Sequence, residues 1–247
     1  MRIVDAHYHL GDCRVFGLNV DEDDILAAMD RNGVSAALVQ PFPGASDAAA
    51  VHDRIAALAR SHPARIHGIV SLNPHAPDRA AWNREVDRCV LELGFVGIKV
   101  HTIGHALNPL SEDAGAIFEA ARRLGITVMV HTGMGIPLAA PSLVGPRAEQ
   151  YPDVSIVLAH MGFVITAGEA VLTAKRYPNI FVETSWSMIG DIAWAISELG
   201  AERVMFGSDT PDNVPVELAK FNALTLTDQQ RQQVLGGAVS TAFKLTG

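Results

Sequence analysis

The 247-residue chain contains only two cysteines, Cys13 and Cys89, and no CxxC pair. That argues against a disulfide scaffold or a zinc ribbon and suits a reducing compartment, so a cytoplasmic protein is expected. Runs of lysine and arginine are missing, and the formal net charge is −8. Nucleic acid and anionic membrane are therefore poor partners, and a small-molecule substrate is expected instead. No apolar run reaches the ~20 residues of a membrane span. The opening MRIVDAHYH lacks the charged start and long apolar run of a signal peptide. The turn after the first apolar stretch reads HYHLGD rather than GxGxxG, which disfavours an open, doubly wound nucleotide-binding sheet. Linkers, repeats and low-complexity segments are also missing, so residues 1–247 are expected to form one domain. A hydrophobic content of 49% suffices for one large core.

What is present is organised around the N-terminal stretch Ile3-Val4-Asp5-Ala6-His7-Tyr8-His9-Leu10-Gly11. Ile3 and Val4 read as a buried strand. Side chains alternate along a strand, so His7 and His9 face the same way. Two imidazoles at a strand end can grip one divalent metal, although an HxH pair can also be two surface histidines.

Further along, short apolar runs alternate with amphipathic ones. Strands are expected at 35–40, 66–72, 96–101, 127–131, 155–160, 180–184 and 203–206. Helices are expected at 21–33, 46–62, 82–93, 113–124, within 142–151, 168–176 and 191–199, and two more near 216–224 and 228–244. The Gly- and Pro-rich loop 133–142 is long enough to shape a pocket. With the first strand, this makes eight strands apolar on both faces, alternating with helices. The fold expected is an α/β (β/α)8 TIM barrel with an extra C-terminal helix.

Active sites of such barrels lie at the C-terminal ends of the strands. The polar residues there are His7, His9, Lys99, His101, His131, His160, Glu183 and Asp209. Four strand ends carrying His or Asp on one face are hard to explain as packing. Three histidines and an aspartate suit Zn²⁺ or a similar first-row ion such as Mn²⁺ or Fe²⁺.

The stretches DAHYHLG (5–11), GIKVHT (97–102), VMVHTG (128–133), LAHMG (158–162) and RVMFGSDTP (203–211) resemble, in order, the amidohydrolase superfamily. They are similar in particular to its amidohydrolase-related branch, which includes aminocarboxymuconate-semialdehyde decarboxylase. The resemblance implies that His7, His9, His131 and Asp209 bind metal. It implies that His160 is a catalytic base and polariser or a ligand to a second metal. Lys99 divides these readings: carboxylated, it would bridge two ions; otherwise it contacts substrate or faces the barrel mouth. Two departures stand out. The chain is short for the family, so its pocket is either open or completed by a neighbour in a homo-oligomer. The C-terminal helix also reads GGAVSTAF where the family commonly has an Asn-Ala pair.

Metal-activated water would make the protein a hydrolase of a C–O or C–N bond, with Asp209 passing the proton and His160 steadying the developing charge. The alternatives are a metal-dependent, non-oxidative decarboxylase and a non-catalytic metal-binding barrel. A lyase of anionic acids should present an arginine at the mouth, and only Arg14 and Arg147 lie on suitable loops. Absence of a diagnostic arginine motif puts hydrolysis first. His101 and His105 read as ordinary loop residues. His52, His62, His67 and His75 read as surface or capping groups, and Trp186 as a buried aromatic. Asp5 is expected to support a ligand histidine or the backbone, and Cys13 to serve packing.

Overall fold

The computed structural model of the chain describes residues 1–133 and 136–245. Met134 and Gly135, in the expected pocket-shaping loop, fall outside the described residues. The strands are β1 (Val4–Cys13), β2 (Leu18–Val20), β3 (Ala36–Pro41), β4 (Ile66–Val70), β5 (Gly97–Val100), β6 (Thr127–His131), β7 (Ile156–Ala159), β8 (Ile180–Glu183) and β9 (Val204–Met205). They form one curled sheet in the order β2-β1-β3-β4-β5-β6-β7-β8-β9. Every neighbouring pair is parallel except β1 and β2. At the far edge, Ala6 N donates to Phe206 O (3.1 Å) and Asp209 N to His7 O (2.8 Å), which lays the run after β9 against β1.

The helices are α1 (Glu22–Asn32), α2 (Ala48–Ser61), α3 (Arg79–Asp87), α4 (Glu112–Leu124), α5 (Gly145–Gln150), α6 (Ala167–Arg176), α7 (Ile189–Leu199), α8 (Val214–Ala223), α9 (Asp228–Gln232) and α10 (Ala238–Ala242). β3 and β6–β9 send alternate residues to two different apolar clusters, as a period of two requires; in β1 the register shifts between Asp5 and Tyr8, so Val4 and Ala6 lie in the inward cluster and Tyr8 and Leu10 in the other. Ala37, Val39, Val128 and Val130 face the helices, whereas Leu38, Met129, Val157 and Met205 point inward. The inward cluster is completed by Ala238, Val239, Ala242 and Phe243, so α10 plugs the end of the sheet opposite the strand C-termini. Burial on both faces is why the strands read as continuous apolar runs.

Three differences from the sequence reading have physical reasons. β2 is an added ninth strand, paired antiparallel with Gly11–Cys13; its Leu18 and Asn19 are exposed, so it carries no alternation signal. The expected helix 82–93 starts earlier, at Arg79, and ends in a π turn, Arg88–Glu92. The expected helix 228–244 is likewise split by a π turn, Gln233–Gly237. There Val234 O accepts from Phe206 N (2.9 Å), a bond that draws the carbonyl out of the helical ladder. Gly236 lets the same turn pack against the start of the chain: a Cβ there would lie 2.7 Å from Arg2 O.

His52 is fully buried, not at the surface. Its Nε2 accepts from Ser71 N (3.2 Å), so Nδ1 carries the proton and donates to Glu85 (2.9 Å). The Arg88 guanidinium donates to both Glu85 oxygens (2.8 and 2.9 Å). Burial opposes the charge on Glu85, but the hydrogen bonds from His52 and Arg88 outweigh it and hold the carboxyl at about 2. A depressed carboxyl stabilises the fold above its ordinary value of 4.5, and that contribution drains as pH falls toward 2. Glu85→Gln is therefore expected to lower Tm at pH 7. The gap to wild type should narrow as scans move below pH ~4.5; a gap that stays constant down to pH ~2 would remove Glu85 as its source.

Candidate metal and substrate site

The C-terminal ends of β1, β5, β6, β7, β8 and the run after β9 converge on one floor. His7 and His9 face the same way from β1, with Nε2 atoms 3.2 Å apart. His7 Nδ1 lies 3.1 Å from Glu183 Oε2, and His9 Nδ1 lies 3.2 Å from Pro41 O. Each Nδ1 therefore donates its proton to an oxygen, which leaves both Nε2 atoms unprotonated, His7 Nε2 facing Lys99 Nζ (3.0 Å) and His9 Nε2 facing Gln40 Nε2 (3.4 Å). Asp209 Oδ1 lies 3.4 Å from each of them. Ligands ~2.1 Å from a tetrahedral ion stand roughly 3.3–3.5 Å from one another. The spacing of these three atoms therefore fits a shared first-row cation.

Lys99 is fully buried, with Nζ 3.0 Å from His7 Nε2. Burial lowers its amine to about 8. His131 is buried with neither ring nitrogen partnered among the described residues, and its ring centroid lies 4.7 Å from that of His160. An imidazole with two orphaned nitrogens in a dry site is costly unless a ligand meets one of them. Burial also holds His7 and His131 well below the usual histidine range, with the Lys99 charge adding to the effect at His7 and His160 adding to it at His131. Both rings are thus neutral, the form that ligates metal.

His160 differs in its wiring. Ser185 Oγ donates to Glu183 Oε2 (2.9 Å) and so accepts from His160 Nδ1 (2.8 Å). The proton of His160 therefore sits on Nδ1, and Nε2 is its free nitrogen. Burial lowers this ring to about 3. Glu183 binds four groups at once: His7 Nδ1, Ser185 Oγ, Ser185 N (2.5 Å) and His160 N (3.1 Å). Sequence reasoning gave Glu183 no such role. Its signal was a glutamate at the end of an otherwise apolar strand, which must be paired if buried. Gly207 makes room for it, since a Cβ there would lie 2.4 Å from Glu183 Oε1. Asp5 accepts from the amides of His7 and Ser208 (3.0 Å each), in line with the supporting role expected, and burial pushes its carboxyl up to about 8.

Three residues that follow strand ends here take left-handed backbone: His160 (φ 65°) and Asp209 (φ 70°) on the floor, and Trp186 (φ 63°) in the wall above it. Each costs about 1–3 kcal/mol for a non-glycine residue, a cost usually met where a side chain must be aimed. Above the floor lies a cavity of about 430 Å³ walled by Phe16, Leu18, Phe42, Ile103, Phe163 and Trp186. Trp186 is 41% exposed rather than buried, and its indole Nε1 donates to Asp209 Oδ2 (2.9 Å). His101 lies in the cavity wall and is itself only 3% exposed, not an ordinary loop side chain. Neither Arg14 nor Arg147 lines the cavity. Arg147 is spent on the carbonyls of Pro109 (2.9 Å) and Ser111 (2.7 Å).

The floor thus brings His9, Lys99 and Asp209 into direct reach of His7, places ligand atoms of His7, His160 and Asp209 within 4.8 Å of one another, and sets His131 beside His160. Among the described residues no helix is long and apolar enough to cross a membrane.

Comparison with known proteins extends this picture. The family model described as "Amidohydrolase" matches residues 4–239. Gamma-resorcylate decarboxylase of Polaromonas sp. (strain JS666 / ATCC BAA-500) is 27% identical over 248 aligned positions, covering 78% of this chain and 75% of that protein. The crystal structure of 5-carboxyvanillate decarboxylase from Novosphingobium aromaticivorans, complexed with manganese and a nitrobenzoic acid, superposes with a TM-score of 0.77 at 17% identity, covering 99% of this chain and 96% of that one. An uncharacterised TIM-barrel protein from Bordetella bronchiseptica superposes with a TM-score of 0.80 at 16% identity, covering 99% of each chain.

Proposed function

The chain belongs to the amidohydrolase family, and from that premise we propose that it is a metal-dependent, non-oxidative decarboxylase of a small aromatic acid. The sequence alone put hydrolysis first and decarboxylation second. Two things reverse that order: decarboxylases among its relatives and a cavity whose wall suits a flat apolar ring. The observation that carries the reading is the pairing of that apolar wall with a floor of unprotonated imidazole nitrogens 3.2 Å apart. We read residues 1–247 as one domain and the eight parallel strands β1 and β3–β9 as a closed (β/α)8 barrel.

On this proposal His7, His9, His131 and Asp209 hold one divalent first-row ion, manganese or zinc. When bound, the ion supplies a positive charge that orients an acid's carboxylate or hydroxyl oxygen and draws electron density toward it. The chain's own residues do the rest. Phe16, Phe42, Phe163 and Trp186 clamp the ring and exclude water. Trp186 fixes the rotamer of Asp209 through Oδ2, leaving Oδ1 toward the two imidazoles. His160 takes a proton from solvent on Nε2 and passes it to the ring carbon that loses its carboxyl. As that proton arrives, the C–C bond breaks and its electron pair remains with the ring. CO₂ departs, and the proton occupies its place. Glu183, through Ser185, stabilises the imidazolium while His160 carries the extra proton. The two-ion alternative, with Lys99 carboxylated and His160 a ligand, is separated from this one by metal stoichiometry.

The test is a substrate panel on the manganese-loaded protein. Hydroxylated benzoates are expected to yield the decarboxylated phenol and CO₂, and aryl esters and lactones to stay intact. Hydrolysis of the second group without loss of CO₂ from the first would overturn the reading. The carboxylate behind His7 has its own expected effect: Glu183→Gln should weaken metal binding by ~10- to 100-fold. Competition with a chelating dye measures it, and affinity equal to wild type would remove Glu183 from the metal's support.

A further inference from the structure

His101 was not assigned a part in the reaction above, yet its surroundings prepare it for one. Its Nδ1 accepts from the Gly104 amide (3.1 Å). The single proton of the ring is therefore on Nε2, which has no protein partner among the described residues. The ring is pinned flat against His131, with centroids 4.5 Å apart and planes 13° apart, and meets His105 edge-on at 6.2 Å. The loop that presents it is held by His105 N donating to His101 O (3.0 Å). Glycine is needed at 104, since a Cβ there would lie 2.3 Å from Pro43 Cβ. The result is a buried N–H donor with a fixed tautomer and a fixed plane, in the wall of the cavity.

Three other ring donors at this cavity are already committed, His9 Nδ1 to Pro41, His160 Nδ1 to Ser185 and Trp186 Nε1 to Asp209; His131, whose nitrogens have no partner among the described residues, is the ring proposed above to hold the ion. Among the described residues neither arginine nor lysine lines the wall. A second carboxylate on the substrate, away from the floor, would find no cationic partner there. A hydroxyl or phenolate oxygen beside the first carboxylate would need only one N–H donor.

We propose that His101 is the specificity-determining residue of the site, its Nε2–H donating to an oxygen ortho to the carboxylate of an aromatic monoacid. This rests on the decarboxylase reading and names its substrate class: 2-hydroxybenzoates rather than dicarboxylates.

The test uses the manganese-loaded full chain with salicylate and with benzoate, which lacks the ortho oxygen. Binding is followed by stopped-flow tryptophan quenching, whose binding phase precedes any turnover. His101→Phe keeps the stack on His131 and removes the donor. It is expected to weaken salicylate by ~10- to 100-fold and to change benzoate by no more than ~2-fold, and unchanged benzoate binding doubles as proof of a folded site. His101→Gln carries an amide N–H near the same place and is expected to recover most of the salicylate affinity. Equal losses for both acids, or no loss for either, would overturn the assignment of His101 and leave the decarboxylase reading standing. Failure of the wild-type protein to bind either acid would overturn both.

Discussion

A variant carrying His7→Ala and His9→Ala together is expected to retain no divalent ion and to release no CO₂ from any hydroxybenzoate. The two unprotonated Nε2 atoms supply half of the proposed ligand set, and Asp209 Oδ1 is placed by its distance of 3.4 Å to both. Removing them leaves His131 and Asp209 too few to hold the ion. The loss in metal affinity should exceed the ~10- to 100-fold that follows from losing an outer hydrogen bond alone. The fold should survive, because both side chains face the floor rather than the inward cluster that α10 closes. Elemental analysis, with circular dichroism as the control for folding, gives the answer. Turnover persisting in a folded, metal-free variant would remove the ion from the mechanism.

His160→Gln is expected to act in the opposite pattern, with metal content near wild type and kcat reduced by ~10²- to 10⁴-fold, the range for losing a general acid–base group. Glutamine matches the reach of Nε2 but cannot shuttle a proton. KM should move little, because the ring is clamped by Phe42, Phe163 and Trp186, which the substitution leaves in place. A variant that instead loses metal in step with activity would make His160 a ligand and favour the two-ion arrangement with Lys99.

Much of this architecture is legible in the chain itself, for identifiable reasons. Strands buried on both faces advertise themselves as apolar runs, so all eight parallel strands are visible in the sequence. The HxH motif is readable because strand alternation alone puts His7 and His9 on one face. Asp209 and His160 follow from their places at strand ends. The illegible parts depend on long-range partners. β2 is three residues long with two exposed, so only its pairing with Gly11–Cys13 defines it. The π turn at 233–237 exists because Phe206, in a distant segment, claims the carbonyl of Val234.

The side chains obey the same rule. His52 looks like a helix-surface residue until Ser71 and Glu85 are brought to its two nitrogens. His101 looks like a loop residue until the Gly104 amide fixes its tautomer and His131 fixes its plane. Glu183 sits 176 positions from His7 in the chain, and nothing local announces that its carboxylate will set that imidazole's proton.

The most direct test of the account is release of labelled CO₂ from a carboxyl-labelled 2-hydroxybenzoate, followed while manganese is returned stepwise to chelator-stripped protein. The account predicts no release from the stripped protein and a linear rise that stops at one equivalent of ion per chain. Release without metal would contradict the central claim, as would the metal-loaded protein leaving the labelled acid intact.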